Sequence, residues 1–199
     1  MTVLCASCGA ELAPTARFCS QCGTPVARAA ALPAAPAPGL ERRHMTFMFS
    51  DLVGSTELSR AIDPEDLRDI VTDYREAAAS AIRRYEGTIA QYYGDGILIY
   101  FGYPIAHEDD GRRAVQAALD ILEGVGRLNA RVRTKRPVGL AVRIGVHTGV
   151  AIIGDVGGAN RTERLAMGDT PNITARIQGL AQPDTVVIST ATQPATPGF

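Results

Sequence analysis

The stretch Gln91–Tyr100, QYYGDGILIY, decides how the chain reads. Gly94, Asp95 and Gly96 stand between two runs of strand-forming residues, TIAQYY and ILIYF. Glycine supplies the positive φ that a tight turn demands, so Gly-Asp-Gly at this place predicts the tip of a β-hairpin. Any polar residue would serve at such a tip. The aspartate, and Gln91 four residues before it, therefore raise the question of a partner elsewhere.

That partner lies upstream. MTFMFS (45–50) is the continuous apolar run of a central strand buried on both faces, and it leads into FSDLVGST, which puts Asp51 at the strand's C-terminal edge before a turn. A carboxylate that follows such a run needs company, because an unpaired buried charge is costly. Next comes a helix over about 64–85, with Pro64 in its first turn and Leu67, Ile70, Val71, Tyr74, Ala78 and Tyr85 on one face. Beyond the hairpin a second amphipathic helix begins near Glu108, with Asp109 and Asp110 at its positive end and Val115, Leu119, Leu122 and Val125 as its buried side. GLAVRIGVHTG alternates, with Leu140, Val142, Ile144 and Val146 on one face, and VAIIG reads as a further strand. A short helix starts around Pro171, and TVVIS closes the pattern.

Strand, helix, hairpin, helix, strand is the order of a ferredoxin-like α+β fold, βαββαβ, with its helices on one face of the sheet. In that topology the first strand is central and lies beside the hairpin, so Asp51 and Asp95 project at the same edge. Paired carboxylates suit Mg²⁺, which takes few protein ligands, hard oxygens and phosphate oxygens. Between them VGST (Val53–Thr56) offers Gly54, Ser55 and Thr56 with free backbone N–H groups for a triphosphate tail.

Composition limits the rest. With 199 residues, 46% hydrophobic and 21% charged, the chain is globular, and a net charge of −1 gives no global attraction to nucleic acid or anionic lipid. The basic cluster RVRTKR (Arg131–Arg136) reads as a solvated loop. No stretch approaches the ~18 apolar residues of a membrane span, and no secretory signal is visible, so the expectation is a cytosolic protein. All four cysteines fall in the first 22 residues, as Cys5-x2-Cys8 and Cys19-x2-Cys22, each pair followed by glycine. In a reducing compartment that spacing predicts four thiolates on one structural zinc, with folding coupled to metal. Residues 1–26 resemble the zinc ribbons found at the N-termini of many bacterial multidomain proteins. That setting favours a structural or protein-contact role over nucleic-acid binding. Residues 27–40 are almost entirely Ala, Pro and Gly and read as a semi-rigid linker, which leaves 41–199 as the packed domain. His44, His107 and His147 read as strand-start, loop and strand residues without a ligand or base role.

FSDLVGST, YGDGILIYFG, AHEDD, VRIGVHTG and GDTPNITARI fall in the order and spacing of class III adenylate and guanylate cyclase domains, and the resemblance covers about 45–190. It is closest to a bacterial branch in which the cyclase precedes an ATPase and helical repeats. The resemblance implies two Mg²⁺ or Mn²⁺ ions on Asp51, the Leu52 carbonyl and Asp95. It implies a transition-state pair at Asn172 and Arg176, which share one helical face at i, i+4, with Thr170 as cap and Pro171 in the first turn. It implies a head-to-tail homodimer in intracellular signalling, with the acid pair and the Asn172–Arg176 pair supplied by different protomers. The expected reaction turns ATP, or GTP, into the 3′,5′-cyclic nucleotide. Three departures stand out. Gln91 occupies the place of an adenine-reading lysine, Leu165 that of its aspartate or threonine partner, and the chain stops at ATQPATPGF, before strands that carry a phosphate-binding lysine in the family. These departures leave open a weak or inactive nucleotide- and metal-binding regulatory module, or an adaptor whose cyclase-like domain serves only to dimerise.

Overall fold

The computed structural model describes residues 3–5, 7–12, 19–23, 41–135, 139–158, 161–196 and 198. The linker expected over 27–40 lies outside the described residues. The chain divides into two compact units, Met1–Gly39 and Leu40–Phe199. In the first, β1 (Val3–Leu4) pairs antiparallel with β2 (Glu11–Leu12).

The larger unit is built on β3 (Glu41–Leu52). Two antiparallel neighbours flank it, β5 (Gly96–Phe101) on one side and β6 (Val142–Gly158) on the other. The hairpin mate of β5, β4 (Thr88–Tyr93), lies at the edge, and the order β4-β5-β3-β6 is the ferredoxin-like arrangement. Residues 45–48 of β3 are buried on both faces, as their unbroken apolar run requires.

On one face, α2 (Pro64–Arg84) and α3 (Asp110–Lys135) pack over Met48, Leu52, Ile97, Ile99, Phe101, Val142, Ile144 and Val146. Ile70, Tyr74 and Ala78 of α2 are buried there, with Val71 and Tyr85 packed at the margin. Gly87 permits the close return of the chain after α2, since a Cβ on it would lie 2.7 Å from the Phe101 ring.

Several elements depart from the expected ones. The segment after Asp51 is not only a turn, because Ser55–Ala61 forms a short helix, α1, entered through Gly54 at φ 72°. Of the expected stripe of α3, Val115 and Val125 are buried and Leu122 packs at the margin, but Leu119 is 43% exposed; Ala114, Ala117, Ala118, Ile121, Leu128 and Val132 complete the buried side. The basic cluster begins inside α3, which continues to Lys135, and Arg136 lies outside the described residues. VAIIG is no separate strand, because β6 runs unbroken for 17 residues and its far half pairs with β7 (Arg161–Met167). TVVIS supplies β8 (Thr185–Ile188), which lies parallel to the first half of β6.

The largest correction concerns α4 (Asp169–Leu180). It packs on β6 and β3 on the opposite face from α2 and α3, so the helices are not all on one side. Gly145 makes this possible, since a Cβ there would stand 2.7 Å from Cα of Gln178. Nor is Thr170 the cap. Gly168 precedes the helix, and the buried Thr170 donates its Oγ1 hydrogen to the Val150 carbonyl at 2.5 Å.

Candidate active site

Two carboxyl groups meet at one end of the central ladder. Asp51 is the penultimate residue of β3, and Asp95 sits in the two-residue turn between β4 and β5. The ladder pairs Ser50 with Ile97, which sets Asp51 beside Gly96. A Cβ on Gly96 would come within 3.4 Å of Asp51 Oδ1 and 3.3 Å of the Phe49 ring, so glycine leaves room for the acid. Gly94 provides the left-handed turn, at φ 62°.

This closeness has an electrostatic consequence. Burial pushes the Asp51 carboxyl up to about 6, and the charge and hydrogen bond of Asp95 add to the rise. The Arg143 charge and the Leu52 backbone N–H act in the other direction. Asp95 Oδ2 is buried and has no hydrogen-bond partner among the described residues. An unpartnered carboxylate oxygen next to a second carboxyl is the donor set of a hard divalent cation, and the residues present fit one.

Around the pair, Phe49 and Tyr93 stack with centroids 5.8 Å apart. The Tyr93 hydroxyl donates to Gln91 Oε1 at 2.5 Å. A register shift between Ile89 and Gln91 brings Gln91 opposite Leu98, on the face that carries Phe49 and Asp51. Leu165 is in β7 opposite Gly154, and its side chain lies outside the described residues. On the other face, Tyr74 of α2 shares a 2.8 Å hydrogen bond with Ser50. Gly54 caps α1, and Ser55 and Thr56 form its first turn.

Arg143 is the residue the sequence reading passed over. It is the Cα partner of Asp51 across β3 and β6, and its Nε is buried without a partner among the described residues. The signal was available: in an alternating strand, a cation on the face opposite Val142 and Ile144 is aimed at whatever that face carries.

Asn172 and Arg176 are both exposed on α4, one turn apart. Thr170, Thr174 and Gln178 form the buried side of that helix. The helix thus lies on the same face of the sheet as Asp51, but neither Asn172 nor Arg176 bonds to any described residue. The structure therefore brings Asp51, Asp95 and Arg143 together and leaves the α4 pair facing outward.

His44 pairs with Val150 inside β3, and His107 contacts Asp110 and Glu86. His147 Nδ1 lies 2.8 Å from Ser189 Oγ, and burial lowers its pKa.

In the small unit, the Sγ atoms of Cys5, Cys8, Cys19 and Cys22 all lie within 4.8 Å of one another. Cys5 and Cys22 are 3.7 Å apart, and Cys8 and Cys19 are 3.6 Å apart. Ligands at Zn–S distances of about 2.3 Å on a tetrahedron stand ~3.8 Å apart. The four thiols are therefore positioned to bind zinc. Gly9 and Gly23, both at φ 71°, donate their N–H groups to the Cys5 and Cys19 carbonyls and close the two knuckle turns.

Residues 40–196 match the adenylate and guanylate cyclase catalytic domain, and residues 4–26 match the zinc-ribbon domain. The chain belongs to the adenylate and guanylate cyclase catalytic-domain family and carries an N-terminal zinc ribbon. Among its relatives is adenylate cyclase 1 of Rhizobium meliloti, 30% identical over 139 residues, which make up 70% of this chain and 21% of that protein. The crystal structure of the guanylyl cyclase Cya2 superposes with a TM-score of 0.76 at 32% identity, covering 79% of this chain and 80% of that one. The adenylyl cyclase CyaB from P. aeruginosa gives the same TM-score at 26% identity, covering 79% and 82%. This chain spans between a fifth and a third of the length of the first curated relatives it matches, 21% and 28%. Among the described residues, no helix is long and apolar enough to cross a membrane.

Proposed function

We propose that residues 41–199 act as a cytosolic class III nucleotidyl cyclase that converts ATP, or GTP, into its 3′,5′-cyclic monophosphate and pyrophosphate. One observation carries the reading: two carboxyls are pressed together with Asp95 Oδ2 buried and unpartnered, an arrangement that makes sense around a cation. Asp51, Asp95 and the Leu52 carbonyl would hold two Mg²⁺ or Mn²⁺ ions. Such ions supply positive charge at the triphosphate and make the ribose 3′-hydroxyl more acidic.

The chain's own groups supply the rest. Backbone N–H groups at Gly54, Ser55 and Thr56 face the triphosphate, and the Arg143 guanidinium adds a fixed positive charge beside it. Arg176 neutralises charge gathering on the α-phosphate, and Asn172 orients the ribose. In the reaction the 3′-oxygen bonds to the α-phosphorus as its proton passes to a phosphate oxygen of the substrate or to water. The bond from that phosphorus to the bridging oxygen of the β-phosphate breaks, and pyrophosphate departs. Gln91 faces the base edge, with Leu165 as the second base contact.

Because Asn172 and Arg176 make no contact with the acid pair, the complete site is read as shared. In a head-to-tail homodimer, one protomer contributes Asp51 and Asp95, and the partner subunit contributes α4. A second reading, a regulatory module that binds nucleotide and metal without turnover, draws its support from Gln91 and Leu165 at the base-reading positions.

Purified protein incubated with ATP or GTP and Mg²⁺ or Mn²⁺, and assayed for cyclic product, separates the two. The enzyme reading expects cyclic nucleotide from the native chain and none from Asp51→Ala or Asp95→Ala, with both variants folded. Metal-dependent nucleotide binding without product supports the regulatory module.

A further inference from the structure

Arg75 lies on α2 next to Tyr74, and among the described residues its guanidinium hydrogen-bonds and stacks on the hairpin that carries Asp95. Its Nη2 donates to the carbonyl of Gly94, the residue immediately before Asp95. Its Cζ stands 4.6 Å from the centroid of the Tyr92 ring, over the strand that enters the turn. Its Nε is buried and has no hydrogen-bond partner among the described residues. A half-buried cationic side chain is thus held against the entry side of the two-residue turn, at Tyr92 and Gly94.

The turn needs such a hold. Gly94 sits at φ 62°, and a Cβ placed on it would meet nothing within 4 Å, so the residue itself packs against no neighbour. Glycine also has the largest conformational freedom to lose. When both carboxyls are ionised, Asp51 and Asp95 repel, and an outward swing of the turn would separate them. A hydrogen bond from a charged donor to the Gly94 carbonyl opposes that movement, and stacking on Tyr92 keeps the donor in place.

We propose that Arg75 is a positioning residue that, through the Gly94 carbonyl and the Tyr92 ring, holds the Gly94–Asp95 turn beside Asp51, and so sets how tightly the pair takes a divalent cation. The inference rests on the reading that Asp51 and Asp95 are metal ligands. Arg75 itself touches neither metal nor nucleotide; losing it loosens the site without removing a ligand.

The test is Mn²⁺ binding to the full chain, followed by calorimetry without nucleotide, together with Mg²⁺ titration of cyclase activity. The variants are Arg75→Met and Arg75→Lys, with melting temperature measured for each. Arg75→Met is expected to weaken Mn²⁺ binding at the carboxylate site about fivefold or more. It should raise the half-activating Mg²⁺ concentration in parallel and leave the nucleotide KM at saturating metal unchanged. Arg75→Lys should fall between, because an ammonium reaches the carbonyl but offers no plane to Tyr92. A lower melting temperature with Mn²⁺ affinity within twofold of the native chain would overturn the proposal and make Arg75 a packing residue. Failure of the underlying metal reading looks different: Asp95→Ala would then bind Mn²⁺ as the native chain does, and the Arg75 proposal would fall with it.

Discussion

Asp51 on β3 faces Arg143 on β6 as a Cα pair, so the carboxyl that Asp95 raises is also the one that Arg143 restrains. The balance favours the proton, because burial and Asp95 together lift Asp51 from 3.8 to about 6.

A pH dependence follows in metal-free protein. Asp51 holds its proton more tightly folded than unfolded, so its contribution to stability is complete below 3.8 and is lost as pH rises through about 6. Thermal melts in chelator should show the larger unit losing stability between about pH 4 and pH 7. Mg²⁺ or Mn²⁺ should reverse that loss by favouring the ionised form, and Asp51→Asn should flatten the profile. An unchanged slope in Asp51→Asn would assign the effect to another group.

Gly145→Ala tests the docking of α4. The added methyl would stand 2.7 Å from Cα of Gln178, and backbone cannot rotate away as a side-chain tip can. Overpacking of this kind costs about 1–3 kcal/mol. The melting temperature should drop, and turnover should drop with it as Asn172 and Arg176 shift. Gly126, where a Cβ meets nothing within 4 Å, is the control: Gly126→Ala should be neutral or stabilising in a helix.

Base selection should be weak. A charged pair reads a base through bonds roughly twice as strong as neutral ones, whereas Gln91 offers a neutral amide whose oxygen is already engaged by Tyr93. Titration of both nucleotides with Mn²⁺ is expected to give affinities for ATP and GTP within about tenfold, or ~1.4 kcal/mol. Gln91→Lys alone should not restore strict adenine preference; Gln91→Lys with Leu165→Asp should move towards it. A hundredfold preference in the native chain would show that other residues read the base.

Chelation should unfold only the small unit. Its described buried hydrophobic cluster is Cys5 and Cys19 with Ala10 packed against them, too little to hold it without metal. A strong zinc chelator is expected to release the ion and collapse the signals of residues 3–23, while the melting of the larger unit stays unchanged. Absence of zinc in reduced, unchelated protein would refute the site.

Much of the fold was written in local chemistry. The Gly94–Gly96 turn, the alternation through Ile144 and the face of α2 follow from φ preferences and periodicity, which adjacent residues decide among themselves. The acid pair was legible too, because a ferredoxin-like order leaves only one place for the first strand and the hairpin to meet.

Tertiary structure decided what neighbours in space decide. On α3 part of the buried stripe, Ala114, Ala117 and Ala118, is alanine, which carries little apolar signal, so the larger Leu119 was expected inside although it is exposed. On α4 the buried residues are Thr170, Thr174 and Gln178, polar groups whose place depends on Gly145 and the Val150 carbonyl across the sheet. No periodicity could announce that helix's face. The alternation of its strand showed which face Arg143 takes but not that Asp51 stands across the ladder, and Arg75 was silent, because it matters only through the Gly94 carbonyl at the end of another strand pair.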